Sequence, residues 1–318
     1  MATKPKPMSQ TGQGILCAAG AGALWGVALL APELVRDFNP PLLATGRYLA
    51  YGAIAGLLIL PRWQRISGVL SARNWKSVVW LSLAGNTIYY ILLSQAVQSG
   101  GIALTSLIIG FLPVTVTLIG SRDQGALPLR TLALSLALCA AGAACIGWQA
   151  LMVPQASGHT VQGLFCAVGA LVSWTAYAVG NSRCLTRLRA VSVHDWNLLI
   201  GVVTGAQAAL LLPFALLAER GGHSAAAWSR FSGVSLAVAL LASIVGNALW
   251  NRMSRLLPLT MTGQMILFET LFALLYGFLW EQRLPRPLEL AAFGLVAASV
   301  LSCVTAHRKQ PAPATHPG

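Results

Sequence analysis

The sequence predicts an all-α integral membrane protein, with ten transmembrane helices arranged as two inverted five-helix repeats. Three observations carry this expectation. Hydrophobic residues make up 56% of the 318 and charged residues only 9%, whereas a soluble domain carries about a quarter of its residues as charges. The apolar residues fall in long, continuous runs, near the ~20 residues needed to cross a hydrocarbon core. One of these runs recurs about half a chain later.

Ten runs are read as spans: 12–31, 41–60, 76–97, 101–121, 129–149, 160–181, 196–218, 232–251, 259–280 and 287–306. They are too long for barrel strands, which alternate over about ten residues. The connectors are short and hold most of the charges, prolines and glycines. The tails, Met1 to Gln10 and Arg308 to Gly318, are polar and proline-rich and are expected to be disordered.

The repeat is read from the first and sixth spans. Thr11, Gln13, Gly14, Cys17, Ala18, Gly20, Ala21 and Trp25 recur without a gap as Thr160, Gln162, Gly163, Cys166, Ala167, Gly169, Ala170 and Trp174. A basic start followed by an apolar run can be a cleavable leader, but a segment copied deep in the chain reads as a structural helix. Weaker echoes follow. Gly85-Asn86 in span three resembles Gly246-Asn247 in span eight, and Arg122-Asp123 with Pro128 resembles Glu281 with Pro285 and Pro287. The expected repeats are residues 1–155 and 156–318, within one membrane domain.

Charge placement sets the expected topology. With the N-terminus in the cytoplasm, the inner segments hold Lys4, Lys6, Arg62, Arg65, Arg73, Lys76, Arg122, Arg130, Arg183, Arg187, Arg189, Arg252, Arg255, Arg308 and Lys309. The outer segments hold Arg36, Arg220, Arg230, Arg283 and Arg286. Fifteen against five follows the positive-inside rule, and both termini are expected in the cytoplasm of a bacterial-type inner membrane. Five helices per repeat make the second repeat enter from the opposite side, as in alternating-access transporters with a midplane site. The net charge of +13 is therefore a membrane signature. No zinc-finger spacing or RNA-binding aromatic motif accompanies it, so no nucleic-acid partner is expected.

Certain polar and aromatic residues inside the spans are candidates for function, because burying polar groups in lipid is costly. Glu269 sits deep in span nine and is read as a coupling carboxylate, a partner for an ammonium group, or a neutral packing residue. Arg47 in span two is expected to snorkel outward or pair with Asp37, with contact to a substrate carboxylate as the alternative. Asn86 and Asn247 are read as ligand contacts or interhelical glue; glue is favoured for Gln95, Gln98, Gln207 and Gln264. Trp25 and Trp174 correspond through the repeat. Tyr177 lies one turn beyond Trp174, while Tyr90 follows Asn86 by four residues, with Tyr89 beside it. Trp250 closes span eight. These aromatics suit a cavity for a flat or amphipathic substrate. Trp63, Trp75, Trp80, Trp148 and Trp280 read instead as interfacial anchors. Gly110 and Pro113 break span four, Pro213 bends span seven, and Ala18 with Gly22 form a small-residue pair for close helix approach. Pro113 is the proline assigned to the transport pathway.

Enzymatic signatures are missing. The sequence has no P-loop, zinc-binding HExxH or nucleophile elbow, so no catalytic residue, cofactor or metal site is assigned. Cys17, Cys139, Cys145, Cys166, Cys184 and Cys303 lie in or beside apolar segments without CxxC spacing and read as packing residues. The histidines 159, 194, 223, 307 and 316 read as loop or tail residues.

Gly22-Ala-Leu-Trp25, Ser173-Trp174, Glu281 and the small-residue stretch Gly294 to Ser299, on a ten-helix frame, resemble the drug/metabolite transporter superfamily, nearest its EamA-type exporters. The resemblance covers essentially the whole chain. Leu112-Pro113 and Trp250-Asn251 are similar to bacterial aromatic amino-acid exporters. It implies a central cavity bounded by helices one, three, four, six, eight and nine, with helices five and ten outside. The expected function is secondary export of amino acids, aromatic or otherwise apolar, or related small amphipathic metabolites. Proton coupling is a candidate driving force. Alternatives are a multidrug or organic-cation exporter of the same fold and a non-transporting membrane protein.

Overall fold

The computed structural model describes residues 9–28, 31–35, 37–124, 126–151, 160–219, 221–282 and 284–308. The boundary expected between residues 155 and 156 and nearly all of both tails lie outside the described residues. Among the described residues there is no strand.

Span one is α1 (Gln10–Ala28), followed by the short α2 (Ala31–Leu34). Span two is α3 (Pro40–Ile59), continued by a 3-10 turn (Leu60–Arg62) into α4 (Trp63–Val69). Asn39 caps α3, accepting the Leu42 N–H, with prolines in the first turn, where a missing N–H does no harm. Spans three and four comprise α5 (Ala72–Ser82), a π turn (Leu83–Thr87), α6 (Ile88–Ile109) and α7 (Leu112–Gly120). Span five is α8 (Leu129–Leu151), span six α9 (Thr160–Arg187) and span seven α10 (Val193–Leu217). Span eight joins α11 (Ala225–Val238), a second π turn (Ala239–Gly246) and α12 (Asn247–Leu256). Span nine is α13 (Leu259–Met265) with α14 (Leu267–Glu281), and span ten is α15 (Pro287–Arg308).

Several helices start or end beyond the apolar runs because local capping extends them. Ser71 caps α5 and Ser224 caps α11 through their hydroxyls, so both begin ahead of the sequence boundaries. His194 and His307 fall within helices, not in a loop and a tail. His307 forms a hydrogen bond to the Thr260 hydroxyl at 3.0 Å.

Among the described residues, seven helical segments are individually long and apolar enough to cross a membrane. The others are span one, rich in glycine and alanine, and spans three and four, diluted by Asn86, Gln95, Gln98 and glycines. A straight helix over 72–109 would be roughly 57 Å long, nearly twice the hydrocarbon thickness. The chain doubles back. Leu81 lies against Gly180, Gly85 against Tyr177, and Leu92 against Gly169, so span three runs antiparallel to α9. Thr115 has returned to Thr175, with hydroxyls 2.9 Å apart.

Helix packing follows the two-fold relation between repeats. Spans two and seven, four and nine, and five and ten each pack against their own counterpart. The first span packs on the eighth and ninth, as the sixth packs on the third and fourth. At the α8–α15 seam, the Ser135 hydroxyl donates to the Ser299 carbonyl at 3.1 Å and the Ser299 hydroxyl to the Ser135 carbonyl at 2.7 Å. Where α3 crosses α10, a methyl group on Gly205 would lie 2.6 Å from the Gly52 Cα. The glycines let the backbones touch.

Candidate functional site

Both π turns occur at the repeated Gly-Asn dipeptide, Gly85-Asn86 and Gly246-Asn247. A π turn widens the helix and frees carbonyls from the regular ladder; in lipid those carbonyls need another donor. The Asn247 backbone N–H reaches the Ala242 and Ile244 carbonyls, and side chains from neighbouring spans add further donors. In span eight, the Trp25 indole N–H donates to the Ala242 carbonyl at 3.2 Å, and the Asn197 amide to the Ser243 and Ile244 carbonyls at 3.3 and 3.1 Å. In span three, the Ser173 hydroxyl donates to the Ala84 carbonyl at 2.8 Å. Trp25 and Ser173 come from the corresponding spans one and six.

Trp25 also begins a run of aromatic rings. Its centroid is 5.2 Å from Trp250, which is 5.7 Å from Trp174; Trp174 is 5.9 Å from Tyr177 and 6.4 Å from Tyr89. Five of the sequence-predicted residues, from α1, α6, α9 and α12, thus meet across both repeats. The spacings suit tilted and edge contacts between rings. Trp250, Trp174 and Tyr177 are buried, while Trp25 and Tyr89 are half-buried. The Trp25 N–H reaches the Asn247 carbonyl oxygen at 3.2 Å as well. Trp250 is 1% exposed, and its indole nitrogen has no hydrogen-bond partner among the described residues.

The other candidates lie around this run. Asn86 donates to the Thr204 hydroxyl of α10 at 3.1 Å. Tyr90 turns to Tyr48, centroids 6.1 Å apart. Glu269 is in the first turn of α14 beside Gly22, whose missing side chain brings α1 close: a methyl there would be 2.7 Å from the Glu269 nitrogen. Pro113 is buried in the first turn of α7, after the break at Gly110-Phe111. Its carbonyl faces Gly263 of α13.

Arg47 departs from the sequence expectation. Asp37 pairs with Arg230 of α11. Arg47 lies over the Tyr48 ring, 5.4 Å from its centroid, and donates to the Ser243 hydroxyl at 3.1 Å. It sits two turns inside α3, facing the span-eight π turn, and the loop acid is left to a closer arginine.

Gln207 and Gln264 join helices: Gln207 accepts from Thr87 at 2.6 Å, and the Gln264 side-chain oxygen lies 2.9 Å from the Ser299 hydroxyl. Gln95 instead donates to Ser99 of its own helix at 2.7 Å. Gln98 and Trp280 have side chains outside the described residues. Of the expected interfacial tryptophans, Trp63, Trp80 and Trp148 are exposed, and Trp75 is half-buried against Trp63.

Sequence reading missed a second layer of amides. The Tyr51 hydroxyl donates to Asn197, at 2.7 Å to its backbone carbonyl, with 2.9 Å to its side-chain oxygen. Asn181 accepts from the Trp196 indole and donates to Asn251, both at 2.8 Å. Their signal was an amide within an apolar run; Asn197 was passed over because it sits at the boundary of span seven. Asp195, two residues earlier and buried, accepts from Arg62 at 2.9 Å, with Arg65 3.6 Å away.

Comparison with known proteins was consistent with this geometry. The EamA-like transporter family matches twice, over residues 12–148 and 161–305. Inner membrane protein YtfF of Escherichia coli (strain K12) is 32% identical over 321 residues, covering 94% of this chain and 97% of that protein. A solved crystal structure, 17% identical, superposes with a TM-score of 0.73 over 94% of this chain and 99% of its own; that likeness speaks to the fold alone.

Proposed function

The chain belongs to the EamA-like transporter family, and we propose that it exports amino acids with aromatic or other apolar side chains, or related small amphipathic metabolites. It is a multi-pass inner membrane transporter and not an enzyme. The observation that carries the proposal is the ring run Trp25–Trp250–Trp174–Tyr89, drawn from both repeats. Aromatic walls with a few amides favour flat, partly apolar ligands. Asn247 and Asn86 would offer polar contacts, and Tyr90, Tyr177 and Pro113 would bound the path. Transport would proceed by alternating access, the repeats 1–155 and 156–318 rocking about this site with both termini cytoplasmic. The π turns are the natural hinges, because their carbonyls are already held by side chains that can exchange partners.

Glu269 is the proposed proton-coupling group. Its backbone packs on Gly22 of the first repeat, so relative motion of the repeats would change its surroundings. The test is efflux from proteoliposomes loaded with a mixed amino-acid panel, read by mass spectrometry with and without a pH gradient. Selective loss of aromatic or apolar amino acids, accelerated by the gradient, is expected. Glu269→Gln should abolish the acceleration; persistence of gradient dependence in that variant overturns the coupling role. Retention of every amino acid, with efflux of organic cations from vesicles loaded with those instead, overturns the substrate class, since tryptophan faces also bind cations.

A further inference from the structure

We infer that a cavity between the start of α10 and the outer face of α12 is a binding site for the phosphate headgroup of an anionic phospholipid. The cavity has a volume of about 540 Å³ and is lined by His194, Arg252 and Arg255 together with Val245, Leu249 and Leu256. Along α12 the lining positions recur three and four apart, on the side opposite the buried Asn247, Trp250, Asn251 and Ser254. The cavity therefore opens away from the aromatic run.

Its chemistry is divided. Val245 is 45% exposed and continues with Leu249 as an apolar wall suited to acyl chains. Arg252, Arg255 and His194 form the other end. Arg255 is fixed: its guanidinium donates to the Leu188 and Val191 carbonyls at 3.3 and 3.0 Å, while its buried Nε has no partner among the described residues. Arg252 is exposed. The first N–H groups of α10, capped by Ser192, add a partial positive charge at the same place. The acid nearby, Asp195, is held by Arg62 and Arg65, so its charge does not oppose an anion. Basic pockets between spans at a bilayer surface suit phospholipid headgroups, with each arginine contributing about 1 kcal/mol. A free phosphate would meet the same cations but not use the apolar wall.

The test is native mass spectrometry and thermal unfolding of the full chain in detergent. Separate samples receive phosphatidylglycerol, phosphatidylcholine or inorganic phosphate. Retained phosphatidylglycerol with a raised Tm is expected, without either effect from phosphatidylcholine. Arg252→Ala should weaken phosphatidylglycerol binding roughly fivefold, and Arg252→Lys should restore most of it. Arg130→Gln, at an exposed arginine outside the cavity, should leave binding unchanged. Equal retention by wild type and Arg252→Ala overturns the site. Protection by inorganic phosphate equal to that by phosphatidylglycerol overturns the phospholipid assignment. Size exclusion of each variant separates lost binding from misfolding.

Discussion

The indole N–H of Trp25 lies 3.2 Å from both the Asn247 side-chain oxygen and the Ala242 carbonyl. One side chain of span one therefore holds span eight at its π turn while contributing its ring to the aromatic run. Trp25→Phe separates the two roles, since the ring largely stays and the donor goes. Loss of about 1–3 kcal/mol is expected for the acceptors left behind, seen as a lower Tm in detergent, together with slower efflux. Wild-type values for both would show that the bond does not hold the transporting state together.

Asn197 answers for two carbonyls of the same turn. Asn197→Asp is nearly isosteric but cannot donate once ionised. Hydrogen exchange should then rise at residues 239–246 well above other helical segments. An unchanged exchange pattern would mean that the turn satisfies itself.

Gly205 and Gly294 form a matched pair of alanine tests. Gly205 meets the Gly52 backbone across the α3–α10 crossing, whereas a methyl on Gly294 meets nothing within 4 Å. Gly205→Ala should destabilise by about 1–3 kcal/mol through overpacking. Gly294→Ala should be neutral or stabilising by up to about 1 kcal/mol, because alanine favours helix. Thermal unfolding reads both, and a similar loss in the two variants would remove backbone contact as the explanation.

Outside the spans, Glu219 ties two connectors together. The Asn39 backbone N–H donates to it at 3.0 Å, and His223 lies 3.2 Å away. That N–H first, and His223 after it, hold the Glu219 carboxyl below its ordinary range. A lowered folded-state pKa contributes stability that is full above the unfolded value of about 4.3. It is lost as pH falls through the lowered value. Limited proteolysis of the 219–224 connector should therefore accelerate on acidification, and Glu219→Gln should be cleaved readily even at neutral pH. A pH-independent cleavage rate in the wild type would refute the tie.

Much of the fold was legible because lipid imposes length and continuity on apolar runs, and because span one is repeated as span six. The pairing of Trp25 with Trp174 followed from that repeat, and the structure joins both to Trp250. Helical spacing placed Tyr177 one turn beyond Trp174 and Tyr90 four residues beyond Asn86. Asn86 meets Thr204 of α10 and Tyr90 meets Tyr48 of α3, partners that spacing alone does not name. A π turn leaves little local trace; only the repeated Gly-Asn marked the place. Arg47 was misread because sequence gives its depth but not its direction. Asn181 and Asn197 escaped notice, as did the bond of Asn181 to Asn251, because the partners lie on other helices along the chain.

The crossed serines of α8 and α15 make the kind of contact that identical subunits make about a two-fold axis, each surface receiving what it gives. In a true homodimer every substitution appears twice and must suit both places. Here a single polypeptide joins the halves, so each position answers only to its own surroundings. The twin asparagines already use that licence: Asn247 accepts a hydrogen bond from Trp25, whereas Asn86 donates one to Thr204. Covalent joining thus lets a symmetric frame enclose a lopsided interior, which a chiral molecule with unlike ends requires.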